Sequence, residues 1–138
     1  MTIVFNFFAG PGSGKSTTAT AAFALSKMHD INCEYVPEHA KDEAWQKTIT
    51  VYYNPIKYLG EQHNRQFRLK DRVDFMFTDS PLLQQTAYVD DEFYHDACKH
   101  LFGEFDNYNY FVERNKEFNP KGRKQYMRGP GYEQSKMW

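Results

Sequence analysis

Short apolar runs alternate with longer amphipathic segments along the chain. Four of the runs are rich in β-branched or aromatic residues and stop at turn residues, as buried strands do. They are Ile3–Phe8, Cys33–Val36, Asp74–Thr78 and Tyr108–Val112. Helical spacing and start signals predict helices over about 14–28, 54–70, 82–88 and 93–102. Trp45–Tyr53 stays ambiguous, because its strand propensity also suits a segment that merely covers the sheet.

This alternation predicts an α/β layer fold with a mostly parallel sheet and with helices on both faces. The length of 138 residues argues for a single domain, and a hydrophobic share of 41% supplies its core. The formal net charge of −1 gives no electrostatic argument for a nucleic acid or a membrane as partner, although a local basic groove stays possible.

The cysteines and the N-terminal residues bear on the compartment. Cys33 and Cys98 are far apart and form no C-x-x-C pair, which is typical of a reducing compartment. The apolar residues 3–9 have no cationic leader or cleavage site, and no run approaches membrane-spanning length. We therefore expect a cytoplasmic protein with no membrane partner.

The most informative segment joins the first predicted strand to the first predicted helix. It reads Ala9-Gly10-Pro11-Gly12-Ser13-Gly14-Lys15-Ser16-Thr17 and is called here the glycine-rich segment. It fits the pattern G-x-x-x-x-G-K-[ST], except that alanine takes the first glycine position. Glycines at positions 12 and 14 allow positive φ, so that successive amides can turn toward one phosphate at the helix N-terminus.

The side chains of this segment complete a predicted ATP–Mg²⁺ site. Lys15 is placed to bridge the β- and γ-phosphates, Ser16 to bind Mg²⁺ and Thr17 to reach the α-phosphate. A glycine-rich turn without a ligand is the alternative. The position between a buried strand and an alanine-rich helix is the context that the nucleotide-binding motif requires, and it favours the ligand.

Two acids follow the second and third predicted strands. In an open α/β sheet, ligands lie beyond the carboxyl ends of the strands, where Glu38 and Asp79 are expected. We assign Glu38 to orienting an acceptor hydroxyl and Asp79 to the metal side. The alternatives are a solvated loop acid for Glu38 and a helix N-cap for Asp79.

Two further groups of polar residues are candidates for ligand contacts. In the third predicted helix, Gln62 offers a donor and an acceptor to a base edge, and Arg65 offers a guanidinium to a phosphate or ribose. The alternative is a solvated face beside a core face. Residues 113–131 form a predicted basic loop that contains Arg114 and Arg123, which on closure would neutralise a transferring phosphoryl group. A solvated tail is the alternative.

Several of these motifs together resemble a known superfamily. The glycine-rich segment is similar to that of P-loop nucleoside and nucleotide kinases. Three further motifs look like those of small phage ATP-binding proteins labelled AAA and of nicotinamide riboside kinase-like domains, and a fourth looks like their lid. These motifs are Val36-Pro37-Glu38-His39-Ala40, Gln62-His63-Asn64-Arg65, Phe77-Thr78-Asp79-Ser80-Pro81-Leu82 and the lid-like Asn119-Pro120-Lys121-Gly122-Arg123-Lys124-Gln125.

The resemblance covers nearly the whole chain and implies one P-loop kinase-like domain over residues 1–138. It implies a three-layer P-loop NTPase-type fold and ATP/Mg²⁺-dependent phosphoryl transfer to a nucleoside, a (deoxy)nucleotide or a related acceptor. It also implies lid arginines that contact the phosphates, here Arg114 and Arg123. For a phage protein, the compartment would be the host cytoplasm.

Two departures from the superfamily pattern keep a second reading open. Monophosphate kinases usually have an arginine directly after the third-strand acid, whereas this chain has Ser80. Relatives also continue with a helix and a fifth strand, so the resemblance implies a missing or abbreviated C-terminal part. The alternative function is a nucleotide-binding or interaction module with a P-loop but without kinase turnover.

Overall fold

A computed structural model describes residues 1–10, 12–46 and 53–113. It contains four strands, which are β1 (Ile3–Phe8), β2 (Cys33–Val36), β3 (Phe75–Thr78) and β4 (Asp106–Phe111). Its helices are α1 (Lys15–Met28), α2 (His39–Gln46), α3 (Pro55–Phe67), a 3₁₀ helix (Leu82–Ala87) and α4 (Glu92–Phe102). Among the described residues, none of the helices has the length and hydropathy needed to cross a bilayer.

The four strands form one parallel sheet in the order β2-β3-β1-β4. The predicted α/β class with a parallel sheet is therefore confirmed. Side chains of β1 alternate between the two faces, as a strand that is covered on both sides requires. Val4 lies in a core cluster with residues of α3, the 3₁₀ helix and α4, whereas Phe7 lies in a second cluster with Ala19 of α1.

Several predicted element boundaries agree with the structure, and others differ. The bounds of β1 and β2 are as predicted, and α3 begins after Asn54, whose side chain accepts a hydrogen bond from the amide of Lys57. The predicted helix at 82–88 is a 3₁₀ helix over Leu82–Ala87. Helix α2 was not predicted, because its inward residues include the acid Glu43 and lack an aliphatic stripe. Residues 47–52, most of the ambiguous segment, lie outside the described residues.

The strand order brings three loops together at the carboxyl edge of the sheet. The central strand β3 is flanked by β2 and β1, and Thr78 is paired in register with both Val36 and Asn6. The glycine-rich segment, Glu38 and Asp79 therefore follow three adjacent strands at the same edge. In open parallel sheets this edge is where ligands bind.

Candidate functional site

Gly12 and Gly14 give the described part of the glycine-rich segment a curled backbone, as its sequence predicts. Gly12 and Gly14 have φ values of 80° and 87°, in the left-handed region that only glycine adopts without strain. The Ser13 hydroxyl donates a 2.6 Å hydrogen bond to the carbonyl of Gly10. Ala9 is buried, and its backbone carbonyl accepts a 3.2 Å hydrogen bond from the side-chain amide of Gln84.

Helix α1 begins at Lys15 with its first amides directed at this curled segment. Asn54 and Asp91 cap α3 and α4 with side-chain oxygens, but among the described residues no side chain caps α1. The first turn of α1 also carries no acid. The N-terminal amides of a helix need an acceptor, and its dipole favours a negative charge there. The start of α1 is therefore suited to hold an anion.

Asp79 is a buried carboxylate at the end of β3. It is 1% exposed, and although the Tyr35 hydroxyl is directed at it, neither of its oxygens has a hydrogen bond of ordinary length and angle to a described residue. The 3₁₀ helix that follows begins after Pro81 and has no side-chain cap, so Asp79 is not a helix cap. Burying a carboxylate without hydrogen bonds costs free energy, and such groups are kept where they serve a ligand or a charge partner.

Lys41, in the first turn of α2, is a charge partner of Asp79. The Lys41 ammonium lies 3.9 Å from Asp79 Oδ2 and donates a 3.1 Å hydrogen bond to Ser16 Oγ. The hydroxyl of Tyr35 on β2 lies beside the same two side chains, and its pKa is raised by burial and further by the charge of Asp79. The two predicted metal ligands, Ser16 and Asp79, are thus brought together, with an ammonium beside both.

The donor set fits a magnesium ion that arrives with a polyphosphate. Mg²⁺ is usually held by one or two carboxylates together with waters and substrate phosphates. Ser16 and Asp79 supply one hydroxyl and one carboxylate with free lone pairs, and the Lys41 ammonium shows that a cation is accommodated there. Within the described ranges, no cluster of three or more His, Cys, Asp or Glu could hold a metal by protein ligands alone.

A side chain of helix α3 holds the loop that carries Glu38 in place. Gln62 is fully buried, and its amide oxygen accepts a 2.8 Å hydrogen bond from the His39 amide. Its amide nitrogen donates a 3.2 Å hydrogen bond to the carbonyl of Pro37. The structure thus gives Gln62 a different role from the predicted contact with a base edge. Gln62 holds the backbone on both sides of Glu38.

Tyr58, one turn before Gln62 on α3, supports the same loop. Its side chain is buried, and its hydroxyl is hydrogen-bonded to the backbone of Ala40. Burial raises the pKa of Tyr58 well above its usual value, and the charge of Glu38 raises it further. Glu38 therefore lies close to the tyrosine hydroxyl, at the same edge of the sheet as Asp79.

Arg65 is directed at α2 and not at open solvent. Its guanidinium pairs with Asp42 and lies 3.2 Å from His39 Nδ1. The other ring nitrogen of His39 lies 3.2 Å from the buried carboxylate of Glu43. Because an arginine donates but does not accept, His39 accepts at Nδ1 and donates at Nε2. The predicted contact of Arg65 with a phosphate or ribose stays a prediction.

Some predicted site residues cannot be placed. Pro11, Arg114 and Arg123 lie outside the described residues, as does the predicted lid 113–131 apart from Glu113. Of the remaining ones, Lys15 is half-buried at the first position of α1, and Thr17 is exposed on the same turn.

Two residues of the site were missed by sequence reasoning, Lys41 and Tyr35. The run of helix-forming residues after Pro37 is a signal for α2 itself, but no local signal pairs Lys41 with Ser16, which is 25 residues away. The chain matches no protein-family model and no curated protein.

Proposed function

We propose that this protein transfers a phosphoryl group from ATP, with magnesium, to a hydroxyl or phosphate of a nucleoside, a (deoxy)nucleotide or a related acceptor. One observation carries the proposal. Gly12 and Gly14 curl the backbone before a helix without a side-chain cap, and the buried carboxylate of Asp79 lies beside Ser16 with no hydrogen bond of ordinary length and angle to a described residue. This arrangement places helix N-terminal amides that can donate hydrogen bonds to phosphate, and a carboxylate that can bind a metal ion, at one edge of a parallel sheet. A P-loop nucleotide site requires both.

Each part of the edge has a role in this proposal. The amides at the start of α1 and the Lys15 ammonium bind the phosphates of ATP. Ser16 and Asp79 hold the metal ion, which would neutralise charge on the phosphates. Glu38, on the loop fixed by Gln62, orients the acceptor hydroxyl and accepts its proton. Positioning and electrostatic stabilisation supply most of the rate in such reactions, since the protein does little covalent chemistry.

Binding is the first test. Isothermal titration with ATP should show an affinity that depends on magnesium and that is lost in Lys15→Ala. A matched control is Lys27→Ala, which removes a lysine from the other end of α1, where it pairs with Glu34 at 3.8 Å. Lys27→Ala should bind ATP as the wild type does. Absence of ATP binding by the wild type in the presence of magnesium would refute the proposal.

Turnover is the second test. The wild type is incubated with γ-labelled ATP and pooled nucleosides, deoxynucleotides or hydroxymethylated DNA. We expect label in one of these acceptors, and at least a hundredfold less with Asp79→Asn, since removing a charge-stabilising group costs roughly 10²–10³ in rate. Tight ATP–magnesium binding without any labelled product would replace the kinase with a nucleotide-binding module that has no turnover.

A further inference from the structure

The ammonium of Lys41 occupies a place that a metal ion would need. It lies 3.1 Å from Ser16 Oγ and 3.9 Å from Asp79 Oδ2, the two oxygen atoms assigned to magnesium. A hydrated divalent cation that contacted both oxygens would be within a few ångströms of this ammonium. Two cations so close together repel each other, so the ammonium and the metal ion exclude one another.

The two members of the Lys41–Asp79 pair differ in how deeply they are buried. Asp79 is 1% exposed, whereas the Lys41 side chain is 38% exposed and emerges from helix α2. A lysine on a flexible four-carbon stem can withdraw to solvent, but the buried carboxylate cannot. When the pair separates, Lys41 is therefore the residue that moves away, and Asp79 stays in place.

From this geometry we infer that Lys41 selects against free divalent cations, so that the Ser16–Asp79 site accepts a metal ion only together with a polyphosphate. A free divalent cation would have to displace the ammonium, and the released ammonium would gain no new anionic partner. A metal–nucleotide complex brings phosphate oxygens that bind the N-terminal amides of α1 and that can pair with the released ammonium. Lys41 is thus a positioning residue, and its role rests on the proposed nucleotide site.

The test measures the affinity for Mn²⁺ alone, without nucleotide, by electron paramagnetic resonance at pH 8. Lys41→Met should bind Mn²⁺ roughly five- to thirtyfold more tightly than the wild type, because the metal no longer displaces a partly exposed ammonium. Lys41→Arg keeps the charge and should stay within about threefold of the wild type. Lys57→Met, which removes an exposed lysine of α3, is the matched control and should change nothing.

A second pair of variants shows whether the gain belongs to this site. In Lys41→Met/Asp79→Asn the gain should vanish, since the carboxylate that binds the metal is gone. Circular dichroism checks the fold of each variant, and Lys41→Gln replaces Lys41→Met if that variant does not fold. Unchanged or weaker Mn²⁺ binding by the neutral Lys41 variant overturns the inference, and so does a gain that persists without Asp79.

Failure of this inference and failure of the proposed function have different signatures. Nucleotide–metal binding by the wild type without any gain in the neutral Lys41 variant rejects the role of Lys41 alone. Absence of nucleotide binding in all variants rejects the proposed function. In that case, a gain for Mn²⁺ alone that depends on Asp79 would still support the competition between ammonium and metal.

Discussion

Gln62 and Gln66 on helix α3 offer a sharp test of how the candidate site is held in place. Both side chains are essentially fully buried, and they lie one turn apart on the same helix. The side-chain amide of Gln62 forms hydrogen bonds with the backbone of His39 and of Pro37. Neither amide atom of Gln66 has a hydrogen-bond partner among the described residues. The same substitution, glutamine to methionine, should therefore have opposite effects at the two positions.

The expected magnitudes follow from the hydrogen bonds that are lost. Methionine has nearly the volume and helix propensity of glutamine, so packing and propensity change little. Gln62→Met leaves the backbone amide of His39 and the backbone carbonyl of Pro37 without their hydrogen-bond partner. Each costs roughly 1–2 kcal/mol, in the lower part of the range for buried groups because both residues are only half-buried. We expect a loss of about 2–4 kcal/mol in the free energy of unfolding.

Gln66→Met removes an amide that is buried without hydrogen bonds. Such burial costs roughly 1–3 kcal/mol by mutational measurements, so this variant should be neutral or more stable by about 1–2 kcal/mol. The assay is equilibrium unfolding in urea followed by circular dichroism, with the two variants and the wild type side by side. Unfolding free energies of the two variants that agree within about 0.5 kcal/mol would contradict the assigned roles of these glutamines.

Two further predictions concern the glycine-rich segment and the cysteines. Gly14→Ala should destabilise the protein by about 1–2 kcal/mol because of its φ of 87°, whereas Gly60→Ala in the interior of α3 should stabilise it by about 0.5–1 kcal/mol. Apart from the adjacent residues and nearby helix backbone, no described atom lies within 4 Å of an added Cβ at either glycine, so equal effects in urea unfolding would exclude backbone conformation as the cause. Burial raises the pKa of Cys98 to about 11 from a usual 9.0, which leaves roughly a hundredfold less thiolate at pH 8. The native thiol of Cys98 should therefore react with a disulfide reagent at least about a hundredfold more slowly than in urea. Burial also raises the pKa of the Cys33 thiol, so Cys33 should react more slowly in the native protein too, and release of both thiols by native protein within minutes would contradict this burial.

The candidate site consists of a fixed part and an exchangeable part. The fixed part is the loop around Glu38, held by the buried side chains of Gln62 and Tyr58. The exchangeable part is the contact of the Lys41 ammonium with Ser16 and Asp79. A site that binds a highly charged ligand benefits from this division, because buried hydrogen bonds keep its geometry while a partly exposed cation compensates a buried acid until the ligand arrives.

The sequence by itself determined the elements whose signals are local. The bounds of β1 and β2, the start of α3 at Asn54 and the left-handed glycines at positions 12 and 14 could all be predicted. In each case the physical cause lies within a few neighbouring residues: side-chain alternation, a cap, or the absence of a Cβ. The predicted alternation of strands and helices also sufficed for the parallel α/β class.

Only the tertiary structure decided which polar side chains meet at the site. Lys41 contacts Ser16 across 25 residues, and Gln62 reaches the amide of His39 across 23. Gln84 reaches the carbonyl of Ala9 across 75 residues. Hydropathy cannot separate a buried, hydrogen-bonded glutamine from an exposed one, because the partner that satisfies it belongs to a distant segment. The strand order β2-β3-β1-β4 brings these segments together, and no local pattern encodes that order.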